Sequence, residues 1–193
     1  MVIRNIAQNA AGFTSNAFLV DGDRTVLVDA GNDFDAVAAI DATTGGLDAV
    51  VLTHTHSDHV GNVADVVEAF EVEVYGFDPD HELVDRGIDD GSSVSIGDHE
   101  YEALHTPGHK NDHLCFYSEP ASVCFAGDLV FANGGFGRTD LEEGNRELLI
   151  RSIDYLLETI DPSLSELHVG HGPSVEVNPY QHVELASQAA RMG

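Results

Sequence analysis

The chain has 193 residues, with 34 Asp and Glu against 8 Lys and Arg, a formal charge of −26 and a pI near 4.3. That balance excludes most nucleic-acid binding by phosphate neutralisation, which needs a basic face, and disfavours anchoring to an anionic leaflet. Hydrophobic residues make up 42%, too many for a solvated disordered acidic chain, so one folded domain over residues 1–193 is expected, with its charge on the surface.

From the N-terminus, Met1 to Val20 is interrupted by Arg4, Asn5, Gln8, Asn9, Thr14, Ser15 and Asn16, which does not read as a signal peptide. No run approaches the ~18 apolar residues of a membrane span, so a cytoplasmic location is expected. Asn16 to Val20 and Thr25 to Asp29 read as strands of a hairpin turned at Asp21-Gly22-Asp23-Arg24. Phe34, Val37, Ala38 and Ile40 give a helical face that ends at Gly45-Gly46, and Ala49 to Leu52 is a buried strand. Val60, Val63, Val66, Val67 and Phe70 repeat at helical spacing, and Val72 to Tyr75 returns to a strand.

Residues 78–91 are polar and read as a short helix plus a loop. Strands follow at Val94 to Ile96, Tyr101 to Leu104, Leu114 to Tyr117 and Ser122 to Ala126. Leu148 to Ile160 is the clearest helix, stopped before Asp161-Pro162. Glu166 to Val169 is a last strand, and Asn178-Pro179 supplies an N-cap and an N1 proline for a closing helix. Cys115 and Cys124 flank a hairpin near Glu119-Pro120; cross-strand pairing is open, but a cytosolic redox state favours free thiols. Hairpins mixed with strand-helix units suggest sheets covered by helices.

The chemistry concentrates after the Ala49 to Leu52 strand, in Thr53-His54-Thr55-His56-Ser57-Asp58-His59. Three more candidates each follow an apolar run: His109 in Thr106-Pro107-Gly108-His109, Asp128 in Ala126-Gly127-Asp128, and His171 in Val169-Gly170-His171-Gly172. Glycines at these places let the backbone turn so that a side chain at a strand end faces a cleft. Imidazole and carboxylate donors without thiolate suit zinc, iron or manganese, and seven such groups are too many for one tetrahedral ion and natural for two ions sharing a carboxylate. A single histidine would as readily be a surface or satisfied core residue.

Taken in order, the HxHxDH block at His54 to His59, TPGH ending at His109, GD at Asp128 and GHG at His171 resemble the metallo-β-lactamase superfamily, in its glyoxalase II-like branch. The resemblance runs over nearly the whole chain. It implies an α+β fold, a four-layer αββα sandwich, with two divalent metal ions at one edge. His54, His56 and His109 would bind the first ion, Asp58, His59 and His171 the second, and Asp128 would bridge both. Zinc is the foremost expectation, with iron or manganese as alternatives. Asp29, in Val28-Asp29-Ala30-Gly31, matches an early Asp-x-Gly element that supports the metal loop from behind.

True β-lactamases of the family usually lack the His after the Asp and often use Cys where this chain has Asp128, and flavodiiron relatives usually carry Glu where it has His56. Gly137-Arg138-Thr139-Asp140 resembles the GRxD segment of glyoxalase II-like hydrolases and of persulfide dioxygenases. Arg138 could hold a substrate carboxylate or pair with Asp140 to fix the loop. Lys110 and Asp112 depart from the Thr and Gly common after TPGH; Lys110 could tune substrate preference or be a solvated loop lysine. The chain ends soon after the closing helix, without the helical extension that supplies glutathione contacts in long glyoxalase II enzymes, so glutathione specificity is not carried over.

The expected activity is hydrolysis of a small acyl-thiol or ester substrate by a hydroxide bridging the two ions, its pKa lowered toward ~7. The ligands themselves, Asp58, His59 and Asp128 among them, are then the catalytic apparatus. One rival is a mononuclear iron persulfide dioxygenase using His54, His109 and Asp128 alone. Another is a noncatalytic metal-binding or oligomeric scaffold, whose role would survive His56→Ala and Asp128→Ala; a homo-oligomer stays open. Nuclease relatives are disfavoured by the charge.

Self-repulsion at −26 destabilises a compact state in dilute salt, which points to a halophilic protein rather than an ordinary acidic one. The melting temperature is therefore expected to rise in molar KCl. Unchanged melting between low and molar salt would defeat that reading.

Overall fold

The computed structural model describes residues 1–192. The chain forms two compact units, residues 1–88 with 94–100, and residues 89–93 with 101 onward.

The first unit is built on strands β1 (Val2–Asn5), β2 (Phe18–Asp21), β3 (Val26–Val28), β4 (Ala49–Val51), β5 (Glu73–Gly76) and β6 (Arg86–Gly87), which neighbour one another in that order. β1, β2 and β3 pair antiparallel, whereas β3 to β6 run parallel. Parallel neighbours need crossovers: helix α1 (Ala36–Thr43) links β3 to β4, helices α2 (Ser57–Val60) and α3 (Val63–Phe70) link β4 to β5, and a chain of turns links β5 to β6. Asp35 caps α1 by accepting the Ala38 N–H at 2.9 Å. Leu19, Leu27, Val50, Leu52, Ile40 and Val66 close the core. The two central strands, β3 and β4, are short, fully buried and rich in Val, as a sheet covered by crossover helices requires.

Strands β7 (Ser93–Ile96) and β8 (His99–His105) form a hairpin turned at Gly97 and Asp98. In the second unit β8 continues into β9 (Leu114–Ser118) and β10 (Val123–Gly127), followed by the short β11 (Val130–Phe131) and β12 (Gly135–Phe136). Helix α4 (Arg146–Thr159) crosses over to β13 (Glu166–Val169), and α5 (Pro179–Met192) closes the chain. The sheet order is β13-β10-β9-β8-β7, with β10 and β13 parallel and β9 antiparallel to β10. Leu149, Ile153 and Leu156 of α4 and Val183 and Ala186 of α5 bury themselves with Leu104, Cys115, Leu167 and Val169. Both cysteines are buried as free thiols, and burial pushes Cys115 up to about 12, so they serve as small core hydrophobes.

Several elements differ from expectation for local reasons. β1 was hidden because it is a half-exposed edge strand in which Arg4 and Asn5 break the alternation. Residues 78–91 form no helix: Asp78 accepts the Asp80 and His81 N–H groups in turns, and the segment ends in β6. The helix expected over Val60 to Phe70 is two, α2 and α3, divided at Gly61 and Asn62, where a Cβ on Gly61 would sit 2.2 Å from Asn32 Oδ1. Asn178 precedes α5 at φ 50°, and the bond recorded there runs from the Gln181 N–H to its backbone carbonyl, where an N-cap side-chain bond was expected.

Helix α4 also sets the loop before β9. Asn145 caps it through the Leu148 N–H, donates its own N–H to the Gly108 carbonyl at 2.7 Å, and Ser152 Oγ donates to the Pro107 carbonyl at 2.6 Å. Gly108 has φ 128°, and a Cβ there would lie 2.2 Å from Leu149 N. Gly108→Ala is therefore expected to cost more than about 3 kcal/mol in chemical denaturation. Gly45→Ala, at φ 70° with nothing within 4 Å of the added carbon, should cost only about 1–2 kcal/mol; equal costs would contradict the role of close packing at Gly108.

Candidate metal-binding side chains in each unit

In the first unit the ligand-type residues stand where parallel strands end, the usual position of functional loops in such sheets. Asp29 follows β3, and Thr53 to His59 follow β4. The Asp29 carboxylate is 3% exposed and accepts three bonds: from Thr53 N at 2.8 Å, Thr53 Oγ1 at 2.7 Å and His59 Nδ1 at 2.8 Å. The turn is tied down further by the Ala30 and Gly31 N–H groups on the His59 carbonyl and the Ser15 N–H on the Asp58 carbonyl.

These bonds select tautomers. His59 donates from Nδ1 to a carboxylate, so its Nε2 carries the lone pair. Thr53 Oγ1 spends its proton on Asp29 and so accepts from His54 Nδ1 at 3.1 Å, which puts the His54 lone pair on Nε2 as well. His54 Nε2 lies 3.1 Å from His56 Nδ1. Two donors on one tetrahedral ion with bonds of 2.0–2.1 Å stand about 3.3 Å apart, so this pair fits a shared divalent ion. Asp58 Oδ2 is 3.9 Å from His59 Nε2, close enough for the two to approach another.

In the second unit Asp128 follows β10 and His171 follows β13, again at the ends of parallel strands, and the Gly170 N–H reaches the Gly127 carbonyl at 2.7 Å. His109 donates from Nδ1 to the Arg138 carbonyl at 2.8 Å, leaving the lone pair on Nε2. Asp128 Oδ2 stands 3.4 Å from His109 Nε2 and 3.5 Å from His171 Nε2, so one carboxylate oxygen is flanked by two imidazole nitrogens. His168 holds the base of the His171 turn: it accepts from Ser174 Oγ at 2.8 Å and donates to Glu166 at 3.0 Å, while burial pushes it down to about 4 and keeps it neutral.

The two basic candidates are both engaged. Arg138 forms a bidentate pair with Asp140 at 2.8 and 2.7 Å, which holds the Asp140 carboxyl at about 2. Lys110 is bonded to Glu143 at 2.7 Å, and Glu143 also accepts the Asn111 N–H. Thr53, His113, Glu143 and His168 were not anticipated. His113 stands four positions behind the TPGH histidine, but none of the motifs named it.

A family model described as the metallo-beta-lactamase superfamily matches residues 10–176. The chain is 39% identical over 137 residues to a hydroxyacylglutathione hydrolase of Enterobacter sp. (strain 638), covering 68% of this chain and 51% of that one. It spans about half the length of the hydroxyacylglutathione hydrolases it matches. It is 30% identical over 182 residues to the probable metallo-hydrolase YqgX of Bacillus subtilis (strain 168), covering 83% of this chain and 85% of that one. Among solved structures, TTHA1623 in a di-iron-bound form superposes with a TM-score of 0.78 at 29% identity, covering 95% of this chain and 98% of that one. The match across both units, the relatives that share it and the common architecture place this chain in the metallo-β-lactamase superfamily, with the fold of that family.

Proposed function

We propose that the two groups of side chains serve one dinuclear centre, and that the protein is a metal-dependent hydrolase of thioesters or related esters. The observation that carries this reading is Asp128 Oδ2 with an imidazole Nε2 on either side, at 3.4 and 3.5 Å, the arrangement a bridging carboxylate needs. In the proposed centre His54, His56 and His109 would hold one ion, Asp58, His59 and His171 the other, and Asp128 would serve both. Support comes from the hydroxyacylglutathione hydrolases among the relatives and from a di-iron-bound neighbour. Divalent ions held there would supply a water activated at neutral pH and a Lewis acid for the carbonyl.

The protein's own contribution is orientation. The three imidazoles fixed through Nδ1 present Nε2 without reorganisation, and Asp29 and the Arg138 carbonyl keep them so. With Arg138 paired to Asp140 and Lys110 to Glu143, substrate carboxylates compete with acids already in place, so recognition is expected to rest on the acyl-thiol carbonyl more than on ion pairing.

Purified protein loaded with zinc, iron or manganese, assayed on thioesters, lactones and glutathione persulfide at low and high salt, tests the reading. Thioester cleavage with two ions per chain is expected; one iron per chain with sulfur oxidation and no thioester cleavage would sink it. Asp29→Asn, which removes the charge and turns an NH2 toward groups that donate to one of the two oxygens, should lower metal affinity about 10–100-fold by chelator competition. Asp128→Ala should lower it further and abolish turnover, and full activity in that variant would return the protein to the scaffold class.

A further inference from the structure

His113 is fully buried one residue before β9, at the end of the loop that starts at Thr106. Its Nε2 accepts the backbone N–H of Asp128 at 3.0 Å, and its Nδ1 lies 2.8 Å from Thr106 Oγ1. A neutral imidazole that accepts at Nε2 bears its proton on Nδ1, so Nδ1 donates to Thr106 Oγ1. The Thr106 hydroxyl in turn faces the Leu104 carbonyl and Cys115 Sγ, each at 3.4 Å, and the Thr106 N–H returns to the His113 carbonyl at 2.8 Å. One ring thus joins the loop that carries His109 to the turn that carries Asp128.

The opposite side of that turn is fixed by packing. A Cβ on Gly137 would fall 2.0 Å from the Asp128 carbonyl oxygen and 3.0 Å from His109 Cβ, and the Gly137 N–H bonds the Leu129 carbonyl at 3.2 Å. The Asp128 backbone is therefore held at its N–H by His113 and hemmed at its carbonyl oxygen by a bare glycine.

We infer that His113 is a positioning residue for the metal centre: its Nδ1-protonated ring sets the Asp128 turn against the Thr106 to His109 loop, so that Asp128 Oδ2 stays between the His109 and His171 nitrogens. The inference rests on the reading of the centre proposed above. It makes a specific demand on substitutions. Glutamine reaches the place of Nε2 with an acceptor oxygen and can take the Asp128 N–H. Asparagine reaches only to the place of Nδ1, and phenylalanine fills the space with no acceptor.

The test joins two measurements on the full chain. In the zinc-loaded wild type, nitrogen NMR of labelled histidine should show His113 Nε2 unprotonated and coupled across the hydrogen bond to the Asp128 amide. Zinc affinity by chelator competition, with folding checked by circular dichroism, should fall about 10–100-fold in H113N and H113F and clearly less in H113Q. A protonated Nε2 in the wild type, or a folded H113F with wild-type zinc affinity, overturns the inference. Equal losses in H113Q and H113N overturn it too, and this comparison decides the matter should H113F fail to fold. A wild-type protein that takes up neither zinc, iron nor manganese defeats the dinuclear reading itself, an outcome separate from any difference among the variants.

Discussion

Asp29 carries three hydrogen bonds on one buried carboxylate, and the histidine turn of the first unit depends on them. A carboxylate withdrawn from water without a cation beside it is costly unless its oxygens are satisfied. Here the backbone and hydroxyl of Thr53 and the ring of His59 satisfy them, and charge-assisted bonds of this kind contribute about 1.5–3 kcal/mol each. The same bonds hold Asp29 at φ 56°, a left-handed conformation that an L-residue adopts at a cost of about 1–2 kcal/mol. They also decide which nitrogen of His54 and His59 presents its lone pair. Stability and ligand geometry are thus set by one group. The second unit reaches the same end with neutral parts, a carbonyl behind His109 and an imidazole behind Asp128.

The sequence revealed the residues of the candidate centre more readily than the residues that orient them. His54, His56, Asp58 and His59 stood out because four polar ligand types within six positions cannot be core, and His109, Asp128 and His171 because each follows an apolar run beside glycine. Thr53 and Glu143 have no such mark, since a threonine after a strand and a glutamate in a loop are ordinary anywhere. Their roles exist only through partners 24 and 33 positions away. The same limit applies to the fold. Leu148 to Ile160 was legible as a helix from its periodicity, and the observed Arg146–Thr159 adds only the capped first turn. β1, β11 and β12 are short and half-exposed, and their pairing supplies what their sequences do not. The helix that the valine spacing had made continuous is divided at Asn62, whose backbone leaves the helical region and whose N–H and side-chain amide bond the Gly31 and Ala30 carbonyls.

The fold makes use of few positive charges. Arg86 pairs with Glu73, Arg191 with Asp154, and Arg146 lies over the Phe136 ring at 4.0 Å while bonding the Ala190 carbonyl at the end of α5. In a chain of −26 these contacts do more to set loop and helix positions than to balance the total.

Lys110, the chain's one lysine, shows what such scarcity means for covalent chemistry at the surface. Its side chain is only 13% exposed and its amine is held by Glu143, with Asp112 at 3.7 Å. The N-terminal amine is likewise bonded to Asp98. Enzymes and reagents that acylate, conjugate or crosslink proteins through lysine side chains therefore meet a single nitrogen, tucked against two carboxylates.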